Sequence, residues 1–336
     1  MIGPIGPWSC WPRQCAWGSL RKGRCPASAT GRPEGSMKPH PNVCFLLLAH
    51  RSSEQVRRLV EAVSPCPVLV HVDVRADRQV WNGFQDLADK YAQVELVPRQ
   101  ATGWASWGLV QATINGLECA SGLDCTHVVK MTGQDYPLRP IEEISAFFDE
   151  NPGTSWIPHD EIPVDFLAEK DGGMSRTKHW HMAVRGRSIS VPMNRRPPEG
   201  VIPFYGQAQL VISMPLARWL LGQVARRPEL VKFFRRTWMP NELFIPSLAM
   251  SSPMASDVSG ANLWFTDWSG GGSHPKLLRR EDIDELTAVA LGQAGELPGG
   301  RTKFFARKFD AAVDEEVLDL IDQRLLSPGG KRPQLR

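Results

Sequence analysis

The sequence predicts an α/β protein built on a mostly parallel, doubly wound sheet. Two observations predict it. Strand-like runs stand at 43–49, 68–72, 94–97 and 127–131, short and nearly continuous in apolar character, as in strands buried on both faces. Between them, apolar residues return every three or four positions, the period of one helix face. Strands that alternate with helices in this way lie parallel and are joined by right-handed crossovers.

The first run, from Val43 to Ala49, is the longest apolar run in the chain. Ser52, with Gln55 three residues later, resembles a capping box, and Val56, Leu59, Val60 and Val63 follow at helical spacing. The second run ends in His71-Val72-Asp73, and Val80, Phe84 and Leu87 mark the next helix. After 94–97, Val110, Ile114 and Leu117 line a helix over 105–120. The fourth run leads to Tyr136-Pro137, which reads as turn chemistry. Ile141, Ile144, Phe147 and Phe148 then form a helix face behind Pro140.

The stretch 159–203 is polar, with Gly172-Gly173, Pro197-Pro198 and several arginines, and reads as a long irregular loop region. Strand signal returns at 208–213. Pro215 opens a helix carrying Leu216, Leu220 and Val224, proline being suited to a first helical turn. Helices follow over 228–235 and from Pro240-Asn241-Glu242, then a strand at 263–265 and helices at 281–291 and 314–326.

A chain of 336 residues, 42% apolar and 22% charged, can bury a sizeable core and is neither collagenous nor disordered as a whole. Its net charge of +3 is unevenly spread. Residues 1–36 hold five basic residues against Glu34, whereas 37–336 hold 34 basic and 35 acidic residues. The neutral body argues against a nucleic-acid partner. The excess sits in a Gly- and Pro-rich tail with no amphipathic period, and Met37 marks an alternative start. The expected organisation is a disordered tail over 1–38, a single domain over 39–328 and a flexible C-terminus over 329–336. No run approaches the roughly 20 apolar residues of a membrane span or the apolar core of a secretory signal. A cytoplasmic location, with at most peripheral membrane association, is expected. Cys44, Cys66, Cys119 and Cys125 lie in or beside apolar segments, as buried thiols of a reducing compartment do.

In an open α/β sheet, ligands bind beyond the carboxyl ends of the strands. That rule singles out His50, Asp73, the segment from Arg99 through Thr102, Gly103 and Trp104, and the segment from Thr132 through Asp135 to Pro137. Asp73 and Asp135 suit ribose or sugar hydroxyls, and equally suit the capping of turns. Glu242, in the first turn of a helix, compensates the helix dipole; partly desolvated, it can also act as a general base. Arg307-Lys308, between Phe304-Phe305 and Phe309, can grip a diphosphate. Asp282-Ile283-Asp284 is the only Asp-x-Asp, and its place at a helix start reads as structural. His179-Trp180-His181 lacks a third metal ligand at a convincing spacing. No phosphate-binding G-x-x-x-x-G-K occurs, and no G-x-G-x-x-G follows the first strand. Arg176, Lys178, Arg185 and Arg187 read as solvent-facing, with contact to an anionic glycan as the second choice.

The motifs run in one order: LLLAH at 46–50, HVDVRAD at 71–77, ATGW at 101–104, GQDYPLRP at 133–140, PNELFIPSL at 240–248, FTDWSGGGSHPK at 265–276 and FFARKFD at 304–310. On these stretches the body, over roughly 43–326, resembles the core-2/I-branching enzyme and peptide O-xylosyltransferase family, glycosyltransferase family 14. The resemblance implies a GT-A-like fold. It implies transfer of GlcNAc or xylose, with inversion, from UDP-GlcNAc or UDP-xylose to a hydroxyl of a glycan or peptide acceptor, with no metal cofactor. It also implies that Glu242 is the base and that Arg307 and Lys308 stabilise the leaving UDP. Asp73 and Thr102-Gly103-Trp104 would surround the nucleoside, Ser273 would touch the donor from a loop, and Asp135 would lie beside the donor sugar. His50 joins the donor side by its place after the first strand. Asn241 stands where many members carry Asp, and Ala208-Gln209 where the xylosyltransferases carry Asp-Trp. FFARKF, conversely, looks like the xylosyltransferases, so the donor stays open between the two sugars. The alternative is a non-catalytic UDP-sugar-binding protein on the same fold.

Overall fold

The computed structural model describes residues 42–327, apart from 52, 168, 185–186, 272–273, 296–299 and 301. The tail over 1–38, the C-terminus over 329–336, and Ser52, Arg185 and Ser273 lie outside the described residues.

The first half alternates as its periodicity predicts: β1 (Val43–Ala49), α1 (Ser53–Ala62), β2 (Val68–Val72), α2 (Arg78–Lys90), β3 (Val94–Leu96), α3 (Trp107–Ala120) and β4 (His127–Thr132). β1 lies parallel to both β2 and β4, and β2 is parallel to β3. Every residue of β1 is buried, and alternate side chains leave opposite faces of the sheet. Phe45 and Leu47 join a cluster with Phe84, Phe148 and Phe305. Leu46 and Leu48 join Ile114, Leu220 and Phe244 in another. The sheet is therefore the middle of three layers, and burial on both faces explains why its strands read as continuous apolar runs.

The chain continues through β5 (Asp135–Pro137), α4 (Ile141–Asp149), β6 (Ser155–Trp156), β7 (His159–Glu161), α5 (Met174–Lys178), β8 (His179–Val184), β9 (Arg187–Pro192), β10 (Phe204–Gly206) and β11 (Leu210–Ser213). Then come α6 (Met214–Arg226), α7 (Pro228–Phe234), α8 (Pro240–Met250), β12 (Val258–Ser259), β13 (Trp264–Thr266), α9 (Ile283–Ala290), β14 (Phe305–Arg307) and α10 (Glu316–Ile321). Among the described residues the large sheet has the order β12-β6-β11-β4-β1-β2-β3. It is mostly parallel; β11 alone runs against its neighbours β4 and β6. A smaller sheet, β13-β14-β5, carries the two segments around Asp135 and Arg307.

Two expectations need correction. Tyr136-Pro137 is not a turn but the body of β5, antiparallel to β14. Tyr136 is fully buried and donates its hydroxyl to Asp322 at 2.8 Å, an anchor that overrides the local turn preference. The stretch 159–203 is not irregular throughout. It contains the hairpin β8–β9, and Arg195 ties it down by donating to the carbonyls of His179 and Arg236 at 2.9 and 2.7 Å. The capping box at Ser52 falls outside the described residues, and Gln55 itself reaches across the fold. Its amide donates to the carbonyls of Gly133 and Phe309 at 2.8 and 3.2 Å and accepts from Ala311 N–H at 2.8 Å. It thereby pins α1 to both segments of the small sheet that bear the candidate site.

Cys44, Cys66 and Cys125 are buried and form no disulfide among the described residues, and Cys119 is half-buried. Among the described residues no helix is long and apolar enough to cross a membrane.

Candidate active site

The carboxyl ends of β1, β2 and β4 open onto one rim of the sheet, and β3 feeds a loop onto the same rim. Asp73 follows β2 and is 5% exposed. Its carboxylate accepts from Arg75 N–H at 2.7 Å and from the Arg75 guanidinium at 2.8 Å, and from Thr102 N–H and hydroxyl at 2.9 and 2.5 Å. The Arg75 guanidinium, the opposing cost of burial and the Thr102 donors together hold its carboxyl well below the usual carboxylate range. Asp73 thus fixes the loop 99–104. His71 fixes it too: its Nε2 accepts from Gln100 N–H at 2.8 Å, and burial pushes its imidazole down to about 4. Gly108 lets the loop approach α3, since a Cβ there would stand 1.8 Å from the Ala101 carbonyl oxygen. The loop ends in Trp104, 66% exposed and packed edge-on against Trp238 at 5.3 Å.

The small sheet brings the two chief motifs into register. Arg307 on β14 faces Asp135 on β5. Their side chains pair at 3.6 Å, with Asp135 completely buried and Arg307 half-buried. Asp135 Oδ2 accepts from Thr132 N–H at 2.5 Å, while Oδ1 has no hydrogen-bond partner. Burial raises its carboxyl, and Arg307 opposes that rise. Lys308 is different. Among the described residues no carboxylate comes within ion-pair distance of it, and partial burial followed by the cations Arg307 and Arg51 lowers its ammonium. His50, beyond β1, feels both Asp73 and Lys308; loss of solvent and then Arg51 lower its imidazole. His50 therefore links the Asp73 rim to the two cations.

Glu242 stands at the start of α8. Met239 adopts φ +52° and turns the chain into α8, so that Glu242 stands in the first helical turn with its N–H on the Met239 carbonyl. A left-handed residue other than glycine costs about 1–2 kcal/mol. Glu242 Oε2 accepts from Arg176 at 3.1 Å, and Arg176 Nε donates to Glu169 at 2.7 Å. Arg176 is buried, which corrects its reading as a solvated surface charge. The physical reason is that two carboxylates from separate segments compensate its desolvation. Burial raises the Glu242 carboxyl above its usual range, against the pull of Arg176 and Lys130.

Sequence reasoning missed Lys130. It lies in the middle of β4, between Leu46 on β1 and Leu210 on β11, and donates to the carbonyl of Ala208. Its charge is felt by both Asp135 and Glu242. The one signal was a lysine inside an otherwise apolar run. The weaker metal candidates are occupied elsewhere. Asp282 pairs with Lys276 at 2.7 Å, and Asp284 with Arg324 at 2.8 Å. His181 donates to the Ser175 carbonyl and His179 meets the Ser190 hydroxyl.

A chain of contacts joins the first rim to Glu242: Asp73 holds the loop that ends in Trp104, Trp104 packs on Trp238, and Trp238 N–H donates to the carbonyl of Arg176, the partner of Glu242. The Asp135–Arg307 pair stands on the small sheet, with Lys308 next to it in sequence. Xylosyltransferase 2 of Rattus norvegicus is 24% identical over 313 residues, covering 85% of this chain and 34% of the rat protein. Xylosyltransferase oxt of Drosophila melanogaster is 24% identical over 317 residues, with the same shares. The chain thus spans about a third of the length of the curated relatives it matches. Among solved structures, S. aureus TarS 1-349 overlays with a TM-score of 0.29 and 11% identity, over 53% of this chain and 48% of that one. The Core-2/I-Branching enzyme family matches residues 43–290. By that match, across most of the folded body, the chain belongs to the core-2/I-branching enzyme family, glycosyltransferase family 14.

Proposed function

We propose that this protein transfers a sugar, xylose or GlcNAc, from its UDP conjugate to a hydroxyl of a glycan or peptide acceptor, inverting the anomeric centre without a metal cofactor. The observation that carries this reading is Glu242: a largely shielded carboxylate in the first turn of α8, held by the buried Arg176 at 3.1 Å. Single displacement needs one base on the face opposite the leaving group. Glu242 takes the acceptor hydroxyl proton, and the oxygen attacks the anomeric carbon. The bond from that carbon to the diphosphate oxygen breaks, and the electron pair leaves with UDP. Lys308, which has no acidic partner, and Arg307 offset the charge that develops there, as fixed cations can in place of a divalent ion. Asp73 and the loop it holds form the nucleoside side, His50 lies between that side and the cations, and Asp135 orients Arg307.

The test is a donor screen that compares UDP-xylose with UDP-GlcNAc by thermal shift and UDP release, alongside Glu242→Gln. That variant should lose about a hundredfold or more in turnover and still bind donor. Undiminished turnover would reject the base assignment. Donor binding with no turnover across the panel would mark a binding protein instead.

A further inference from the structure

A lysine at position 130 is an expensive choice. Its neighbours across the sheet, Leu46 and Leu210, are completely buried, and Lys130 itself is 5% exposed. An apolar side chain there would cost the fold nothing, whereas a buried ammonium needs compensating charge. The side chain leaves the face of β4 that packs against α3, α6 and α8, the face from which Glu242 approaches. Its hydrogen bond goes to the Ala208 carbonyl, just before β11. An ammonium has three donors, and this bond uses one of them.

The surrounding charges form an alternating series. Glu169 pairs with Arg176 at 2.7 Å, Arg176 with Glu242 at 3.1 Å, and Asp135 with Arg307 at 3.6 Å. Arg176 serves the base side and Arg307 serves the donor side. Lys130 is felt by Glu242 and by Asp135, and so closes the gap between the two pairs.

We propose that Lys130 is a positioning residue for transfer, supplying the positive charge shared by Glu242 and Asp135 and fixing the chain at Ala208, so that base and donor clamp are set against each other. This rests on the reading of Glu242 as the base. Lys130 then adds a third cation to Arg176 and Arg307, set among Glu169, Glu242 and Asp135. Tyr205 also faces Glu242 and Arg176. Removing Lys130 leaves Glu242 with Arg176 alone and Asp135 with Arg307 alone, and a carboxyl that loses a nearby cation binds its proton more tightly.

The test is the titration of the Glu242 carboxyl, followed by carbon-13 NMR in the full chain and assigned by difference against Glu242→Gln. Lys130→Met, and Lys130→Gln, which keeps a donor for Ala208, should both raise its midpoint by about one pH unit; Lys130→Arg should not. In turnover, the acid limb of kcat should move by the same amount, while the donor KM changes less than about threefold. If Lys130→Met does not fold, Lys130→Gln must still show the shift. An unmoved midpoint, or an equal loss of turnover at every pH, overturns the proposal. If the midpoint moves but Glu242→Gln turns over normally, the base assignment fails instead.

Discussion

Arg176 and Glu242 form a buried ion pair at 3.1 Å, and Glu169 holds the same guanidinium from its other edge at 2.7 Å. The carboxylate proposed as base is thus anchored through a partner that is itself anchored. Burial raises its carboxyl, and Arg176 and Lys130 only partly reverse that. The sign follows directly. A carboxyl raised in the folded protein gains its proton first as pH falls, so the active form is lost above the ordinary glutamate range.

The first prediction is a pH profile. kcat/KM should decline about tenfold per unit on its acid side, with a midpoint above about 4.5. UDP release measured from about pH 4 to about pH 9 checks this. A rate that stays level down to the ordinary glutamate range would contradict it.

Removing Arg176 should be costly. Arg176→Met leaves Glu169 and Glu242 buried without their common cation. Breaking a buried pair from one side destabilises by about 3–5 kcal/mol. Urea denaturation should show a loss of that order, with the smaller part recovered in the double variant Arg176→Met/Glu169→Gln. An exposed pair would cost less than about 1 kcal/mol, so a small effect would show that the pair is solvated.

Asp73 should act on the loop and on nucleotide affinity together. Asp73→Asn replaces a carboxylate that accepts from Arg75 and twice from Thr102, at an expected cost of about 2 kcal/mol. UDP affinity, read by calorimetry, should fall about tenfold as loop 99–104 loses its tether. Because its folded pKa is depressed, the stability Asp73 contributes is present above the ordinary aspartate range and disappears as pH falls through the folded value. His71 adds lability at a higher pH. Its folded pKa of about 4 lies below the unfolded value, so stability falls as pH drops from about 6.5 toward 4. Thermal melts of wild type and Asp73→Asn should therefore both weaken as pH falls across that window, keep a constant offset through it and above it, and converge only below the ordinary aspartate range.

The sheet was legible because burial on both faces turns its strands into apolar runs: Val43–Ala49 and Val68–Val72 end where the sequence pattern ends. His50, Asp73 and Asp135 stand at or just beyond strand ends, as the run boundaries in the sequence predict. What was hidden depends on long-range partners. β5 spans three residues, too few for alternation to show, and forms because β14 arrives from the far end of the chain. Arg176 looked like one charge among several until Glu169 and Glu242 enclosed it. Lys130 was read as part of a strand, since no local pattern reveals that a cation faces two carboxylates. The partners of Gln55 at Gly133, Phe309 and Ala311 are likewise far away in the chain, and no local spacing announces them.

The last prediction separates the two cations of the FFARKFD segment. Arg307 is engaged with Asp135, whereas Lys308 lacks a carboxylate partner and has its ammonium lowered by burial and by Arg307 and Arg51. A diphosphate bound there would supply the missing counter-charge and favour the protonated lysine. UDP affinity should therefore weaken as pH rises, beginning below the ordinary lysine range of about 10.4. Lys308→Ala should weaken UDP binding about tenfold at neutral pH and flatten that alkaline decline. Arg307→Ala should do more, because it also leaves Asp135 buried without its pair. Calorimetry of UDP binding at several pH values, each repeated with EDTA, reads all three effects. Under the proposed clamp of side-chain cations, EDTA should change neither affinity nor transfer. A strict dependence on added Mn²⁺, or an alkaline decline that survives in Lys308→Ala, would show that another group carries the diphosphate.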